Sequence, residues 1–368
     1  MSTVESTAVS RAGSTHSEAV SLAREPRLEF AANLDILRSI AVGLVLLDHI
    51  LEMVSAKHPT LVFHPYDWCA GRLGVLLFFV HTSLVLNFSL ARLGTGGWAL
   101  FRTFLVRRAF RLYPLSIVCV LLVLVLRVPT MPFHHDFAWH GWGALLSNLA
   151  LTMNLTFTQP VLGPLWSLPI EAQMYVALPV IFLLLGPTRS PKAALTLWAV
   201  AAAAAWVQPD FSDRLDVIGF APCFVAGVAA YTLSGRYARR VTALLWIPFL
   251  LAVFGAFAVA QNLFPGGVYN RPLGWVFCLA VGLAIPRFQD SATAALNSAA
   301  NHVARYSYGI YLFHCIALWV GCAVLDSLPE PAQWALALTI VVVMSVGSYH
   351  LLEKPAIDLG VRVSKKWA

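Results

Sequence analysis

Two stretches constrain this chain most: Ile117–Leu126 and Ala332–Val346 each run without a single Asp, Glu, Lys or Arg. Such runs are too apolar for an aqueous surface, and they are not isolated. Hydrophobic residues make up 59% of the 368 residues and charged residues 12%, about half the charged share of a soluble domain. The runs are continuous rather than alternating, which points to membrane helices and away from transmembrane strands. The expected fold class is all-α: a polytopic integral membrane bundle of about ten transmembrane helices. A cytosolic enzyme, a secreted disulfide scaffold and a disordered regulator are excluded by the same composition.

The net charge of +7 would suggest nucleic acid in a soluble protein. In a membrane protein it reads as a topology signal, because Lys and Arg collect on the cytoplasmic side; no nucleic-acid partner is expected. The cysteines Cys69, Cys119, Cys223, Cys278, Cys315 and Cys322 form no CxxC pair and no Cys/His cluster along the chain. They read as small core residues, with no disulfide and no metal site.

Residues 1–30 are rich in Ser, Thr, Ala, Glu and Arg without an apolar block, so a flexible cytoplasmic tail is expected. Residues 31–368 read as a single membrane domain with no fused extracytoplasmic module. A bilayer demands about 20 apolar residues per helix. Candidate spans are 36–56, 72–91, 110–129, 168–186, 193–208, 215–234, 242–261, 270–286, 305–325 and 333–352. The stretch 142–157 is apolar but carries Asn148, Asn154 and several Thr. If it does not cross, 20 of the 25 Lys and Arg lie on the side of the tail. If it does, Arg236, Arg239 and Arg240 fall on the opposite side, against the positive-inside bias. Ten spans with both termini cytoplasmic, and a re-entrant or interfacial 142–157, follow.

Ionisable side chains inside apolar spans are costly and mark candidate sites. Arg38 and His49 are eleven residues apart in the first span. They lie within about 20° on one helix face and about 16 Å apart along it. Asp48 projects away from that face, toward another span or the outer surface. Arg107, Arg108 and Arg111 gather at the cytoplasmic start of the third span. Guanidinium forks suit phosphate oxygens, although a plain topogenic loop has the same look. Ser167, Glu171 and Tyr175 form an i, i+4, i+8 stripe entering the bilayer, where a carboxylate needs a partner such as a His or Arg of another span. Ser307, Tyr311 and His314 share a face near the C-terminus and read as a cavity-lining polar stripe. His81 stands alone in the second span, and Glu353-Lys354-Pro355 closes the last helix in a structural role.

In this order these pieces resemble the acyltransferase 3 family, integral-membrane O-acyltransferases that acylate hydroxyl groups of exported glycans, lipids or natural products. The resemblance rests on the Arg38/His49 pair, the cluster Arg107/Arg108/Arg111, Trp166-Ser167-Leu168 with Glu171, Gln173 and Tyr175, Ser307-Tyr308 with Tyr311-Leu312 and His314, and Glu353-x-Pro355. It covers residues 34–360. The chain departs from the family's second-span pattern, reading Leu76-Leu77-Phe78-Phe79-Val80-His81-Thr82-Ser83-Leu84 without the acidic residue and the glycine. Pro169 and Ala172 flank Glu171 where the family usually has Ser and Glu.

What the resemblance implies is an acyl-CoA co-substrate, expected to be acetyl-CoA, taken from the cytoplasm, with His49 and the arginines among the functional residues. The combined expectation places the protein in the inner or plasma membrane, moving the acyl group to a hydroxyl of an exported glycan, a lipid-linked saccharide or a similar acceptor. Arg107, Arg108 and Arg111 hold the nucleotide phosphates, Arg38 guards the entrance and His49 is the general base. Glu171 orients the imidazole, and Ser167, Tyr175, Ser307, Tyr311 and His314 line the substrate cavity. An acyl-His49 intermediate is a variant. A transporter or flippase of a lipid-linked saccharide is the alternative from another class, and a membrane scaffold without turnover is a third.

Overall fold

A computed structural model describes residues 31–60, 69–94, 96–133, 136–185, 190–236, 241–264 and 271–367. The tail expected over residues 1–30, and Arg239 and Arg240, lie outside them. Thirteen α-helices are present among the described residues. They are α1 (Ala31–Lys57), α2 (Ala70–Arg92), α3 (Gly97–Leu126), α4 (Gly141–Ala150), α5 (Met153–Thr156), α6 (Ser167–Leu185), α7 (Pro191–Phe211), α8 (Asp216–Leu233), α9 (Trp246–Leu263), α10 (Arg271–Ala284), α11 (Ala294–Trp319), α12 (Glu330–Ser348) and α13 (Lys354–Ser364). The isolated bridge between Val241 and Phe288 is the whole of the β pairing described.

Seven stretches are long and apolar enough to cross a membrane, built on α2, α3, α6, α8, α9, α11 and α12. The three other expected spans are helices too, and each falls short for a visible reason. Helix α1 carries Asp35, Arg38, Asp48, Glu52 and Lys57, α7 is alanine-rich, and α10 has only 14 residues. Residues 142–157 fold as the short helices α4 and α5, separated and ended by left-handed residues at Leu151 and Phe157. Their lengths, about 15 and 6 Å at 1.5 Å per residue, cannot span a core about 30 Å thick. Asn148 explains why a polar residue sits there. Its amide donates to the carbonyls of Ala144 and Gln159, and its oxygen accepts from the Val161 backbone, stapling α4 to the strand of chain that leads into α6.

Contacts at the helix ends show successive helices alternating in direction. At one end the Asp290 carboxylate accepts from the backbone of Ala32 and Asn33, and the Trp246 indole donates to the Asn33 carbonyl. At the other end His58 meets Glu330 at 3.0 Å and Arg271 meets Asp216 at 2.8 Å. We refer to these as the basic end, where Arg92 to Arg111, Arg287, Arg305 and Lys354 to Lys366 lie, and the far end.

Helix α2 is the axis of the bundle, packed between α1 and α8, with α11 on the other side of α1 and α6 bridging α2, α3 and α8. Two glycines permit this. A Cβ on Gly74 would sit 2.5 Å from the Ala41 carbonyl oxygen of α1, and one on Gly227 would sit 2.4 Å from the Val80 carbonyl oxygen of α2. Close backbone approach through small residues is how membrane helices pack without an aqueous driving force. The outward faces expose Leu121 and Val125, Val176 and Leu184, Leu251 and Val259, and Val342 and Val343, an apolar exterior suited to lipid. Trp98 is exposed at the basic end and Trp139, Trp142 and Trp206 at the far end, as in the aromatic belts of membrane proteins.

Helices α3 and α11 begin earlier than the expected spans. Thirty residues of α3 make about 45 Å, so its first turns, with the arginines, extend past the apolar layer. Helix α13 lies against this extension, where Arg107 donates to Ser364 at 2.8 Å.

Candidate functional site

Three cavities follow one another along α1. The first, about 310 Å³ at the basic end, is lined by Asp35, Arg38, His81, Arg111, Arg305 and Tyr349 among others. The second, a narrow space of about 60 Å³, shares Arg38 and Arg111 with the first and adds Ser167, Glu171, Tyr175, Ser307, Tyr308 and Tyr311. The third, about 430 Å³ at the far end, shares Val75 and Tyr311 with the second and contains His49. The eleven-residue spacing of Arg38 and His49 thus places one at the wall between the first two cavities and the other in the third.

Several polar groups of the middle cavity are held from a neighbouring element. Arg38 Nε donates to Ser307 Oγ at 2.6 Å, and the Ser307 hydroxyl donates in turn to the Ala304 carbonyl. Tyr311 donates to the Pro164 carbonyl, so the 2.7 Å contact between Ser167 and Tyr311 has the serine as donor. Tyr308 donates to the Leu112 carbonyl at 2.7 Å. The stripes on α6 and α11, read separately in the sequence, therefore form one wall. Ser167, Glu171, Tyr175, Ser307 and Tyr311 line it, and His314 stands beyond it.

The arginine cluster divides. Arg111 Nη1 pairs at 2.7 Å with Glu353, whose side chain is wholly buried, and it faces both of the first two cavities. Arg107 is engaged with α13. Arg108 stacks over the Phe104 ring at 5.7 Å; neither it nor Arg107 is among the lining residues of the three cavities. The third guanidinium of the basic-end cavity is instead Arg305, held by Asn301, which in turn donates to Asp35. In the sequence Arg305 is simply one of the basic residues on the side of the tail. Its position two residues before Ser307 was the available signal. His81 also lines this cavity, is 4% exposed and has no partner for Nδ1.

The imidazole has a different neighbour from the one expected. Glu171 accepts from Tyr175 and faces the middle cavity, whereas His49 faces the far-end cavity. No contact between them is found among the described residues. The stripe on α6 faces the middle of the bundle one cavity short of His49, where the carboxylate's hydrogen-bond partner is Tyr175. His49 is oriented by its own helix: Nδ1 lies 2.9 Å from the Val45 carbonyl oxygen. A carbonyl can only accept, so Nδ1 carries the proton and Nε2 of the neutral ring keeps a lone pair. His314 is held in the same way, with Nδ1 3.1 Å from the Ile310 carbonyl and Nε2 buried without a partner. The two rings meet edge to face with centroids 4.8 Å apart.

Asp48, beside His49, turns to the N-terminus of α2, where the backbone N–H groups of Ala70 and Gly71 bond it. That arrangement suits a carboxylate at a helix start. All six cysteines are buried, and none is in a disulfide among the described residues. His49, His314 and Cys315 each bring one potential metal-ligand atom within 4.8 Å of the others, a grouping that spacing along the chain could not show because 265 positions separate the two histidines.

Comparison with known families matches the family model described as an acyltransferase domain to residues 31–350. No curated protein and no solved structure matches the chain. The matched region spans all three cavities and every helix from α1 into the end of α12, and the chain belongs to the acyltransferase 3 family.

Proposed function

We propose that this protein is an integral-membrane O-acyltransferase that takes an acyl group, acetyl in the first instance, from cytoplasmic acyl-CoA and passes it to a hydroxyl of an acceptor reaching the far end. The observation that carries this reading is the succession of cavities along α1. Cavities that share lining residues run from an arginine-walled opening to an imidazole whose Nε2 has no hydrogen bond among the described residues. Positive-inside bias puts the basic end in the cytoplasm with both termini, and we take α1, α7 and α10 to cross as well, giving ten spans.

The residues fit a CoA thioester. Arg38, Arg111 and Arg305 surround the basic-end opening, where guanidinium groups suit phosphates. The middle cavity is narrow and mixed in polarity, suited to a slender arm carrying amides. The axial separation of Arg38 and His49, about 16 Å, is the distance such an arm has to bridge. In the transfer itself, His49 Nε2 accepts the proton of the acceptor hydroxyl as its oxygen attacks the thioester carbonyl carbon. The C–S bond then breaks, and the departing CoA sulfur takes the proton from the imidazolium. Val45 holds the ring in the tautomer this requires.

The test is acyl transfer from labelled acetyl-CoA by purified protein, with thermal stabilisation by CoA measured alongside. Stabilisation by CoA together with loss of transfer in His49→Ala supports the reading. A transporter or scaffold shows neither.

A further inference from the structure

The far-end cavity contains an arginine with no hydrogen-bond or ion-pair partner among the described residues, and this says what kind of acceptor belongs there. Five charged side chains line the space: Asp48, Glu52, Arg72, Asp216 and Arg271. Three are accounted for. Asp48 accepts from the start of α2. Arg271 spans Asp216 at 2.8 Å and the Gln208 side-chain oxygen at 2.7 Å, and it also lies over the Phe220 ring at 5.5 Å.

Arg72 and Glu52 remain. Nε and Nη1 of Arg72 are buried without a hydrogen-bond partner, as is one carboxylate oxygen of Glu52. No ion pair joins the two among the described residues. A guanidinium removed from water keeps its charge and needs an anion. Its unpaired Nε and Nη1 lie on different edges of the guanidinium; both can only donate, and donors of this kind suit the oxygens of a carboxylate or phosphate. The same cavity offers Trp166, 36% exposed and tilted against Phe220 at 5.4 Å, as a flat apolar wall for a ring. It also holds the His49 ring, the proposed base.

Resting on the acyltransferase reading, we infer that the acceptor is an acidic saccharide. A ring with several hydroxyls lies against Trp166, its carboxylate or phosphate substituent pairs with Arg72, a second hydroxyl donates to Glu52, and the hydroxyl to be acylated faces His49. Neutral sugars leave the buried guanidinium unpaired and are disfavoured for that reason, as sites built for a polar group reject ligands that lack it.

The experiment measures binding of p-nitrophenyl β-D-glucuronide, glucose 1-phosphate and p-nitrophenyl β-D-glucoside to the purified protein and to Arg72→Gln and Arg72→Lys. The first two probes separate a carboxylate from a phosphate source of the charge. At least one anionic probe is expected to bind tenfold or more tightly than the neutral glucoside. Arg72→Gln should erase that preference and Arg72→Lys keep part of it. CoA stabilises all three proteins at the opposite end, which reports their folding. Equal binding of all probes to wild type, no binding of either anion, or a preference that survives in Arg72→Gln would overturn the inference. Failure of acyl transfer or of CoA binding bears on the acyltransferase reading instead, since anion binding at Arg72 is read without turnover.

Discussion

His49 on α1 and His314 on α11 stack edge to face at 4.8 Å, and each gives its Nδ1 to the carbonyl four residues earlier on its own helix. The pairing puts two lone-pair-bearing Nε2 atoms in the interior of a membrane bundle. One ring opens on the far-end cavity; the other is fully buried behind it. From this contact we expect the second ring to steady the first as it gains a proton. His314→Gln is expected to lower kcat about tenfold, equivalent to about 1.4 kcal/mol, while leaving the KM for acetyl-CoA unchanged. His314→Phe preserves the ring contact and should fold normally. Steady-state kinetics on both variants check this, and a change confined to KM would contradict it.

The pair Arg111–Glu353 lends itself to a stability test. Removing Arg111 leaves a wholly buried carboxylate alone, which costs about 3–5 kcal/mol in comparable cases. Arg111→Met is therefore expected to lower the Tm sharply, and Arg111→Met with Glu353→Gln to recover most of the loss. Donor KM is then read in the double variant, where it should still be raised if Arg111 contacts the CoA phosphates.

Zinc offers a further check. His49, His314 and Cys315 could coordinate a soft divalent ion, and such an ion would take the lone pair that the base requires. Transfer should persist in the presence of EDTA and fall on titration with zinc. Loss of activity on chelation, restored by zinc, would instead make the metal part of the mechanism.

Close packing of α2 predicts the response of Gly227. An added methyl meets the Val80 carbonyl at 2.4 Å, so Gly227→Ala must push two helices apart. Overpacking of this kind costs about 1–3 kcal/mol. Thermal unfolding in detergent should show the loss, and Gly43→Ala, where the added atom meets nothing within 4 Å, should not.

Much of this architecture is legible in residue order, because lipid allows few solutions. Uncharged runs announce helices, and the 3.6-residue repeat correctly puts Arg38 and His49 on one side of α1. It also sets Ser307 and Tyr311 on one face of α11. Side-chain pairing between helices is not legible in this way. Nothing in the spacing tells that Arg38 bonds Ser307, that Glu171 has no contact with His49 among the described residues, or that Asp48 ends at the start of α2. The arginine cluster shows the limit most clearly. Arg107, Arg108 and Arg111 look alike in sequence, yet helical rotation sends one to α13, one over Phe104 and one to the cavity. Arg305, from a helix almost 200 residues later, completes the group.

The role of His49 is tested most directly by the rate of acyl transfer from labelled acetyl-CoA by the purified His49→Ala variant, measured at saturating donor. General-base catalysis contributes about 10²–10⁴-fold, so turnover should fall by that factor while CoA still raises the Tm as in wild type. Turnover equal to wild type in a variant that binds CoA normally would contradict the account.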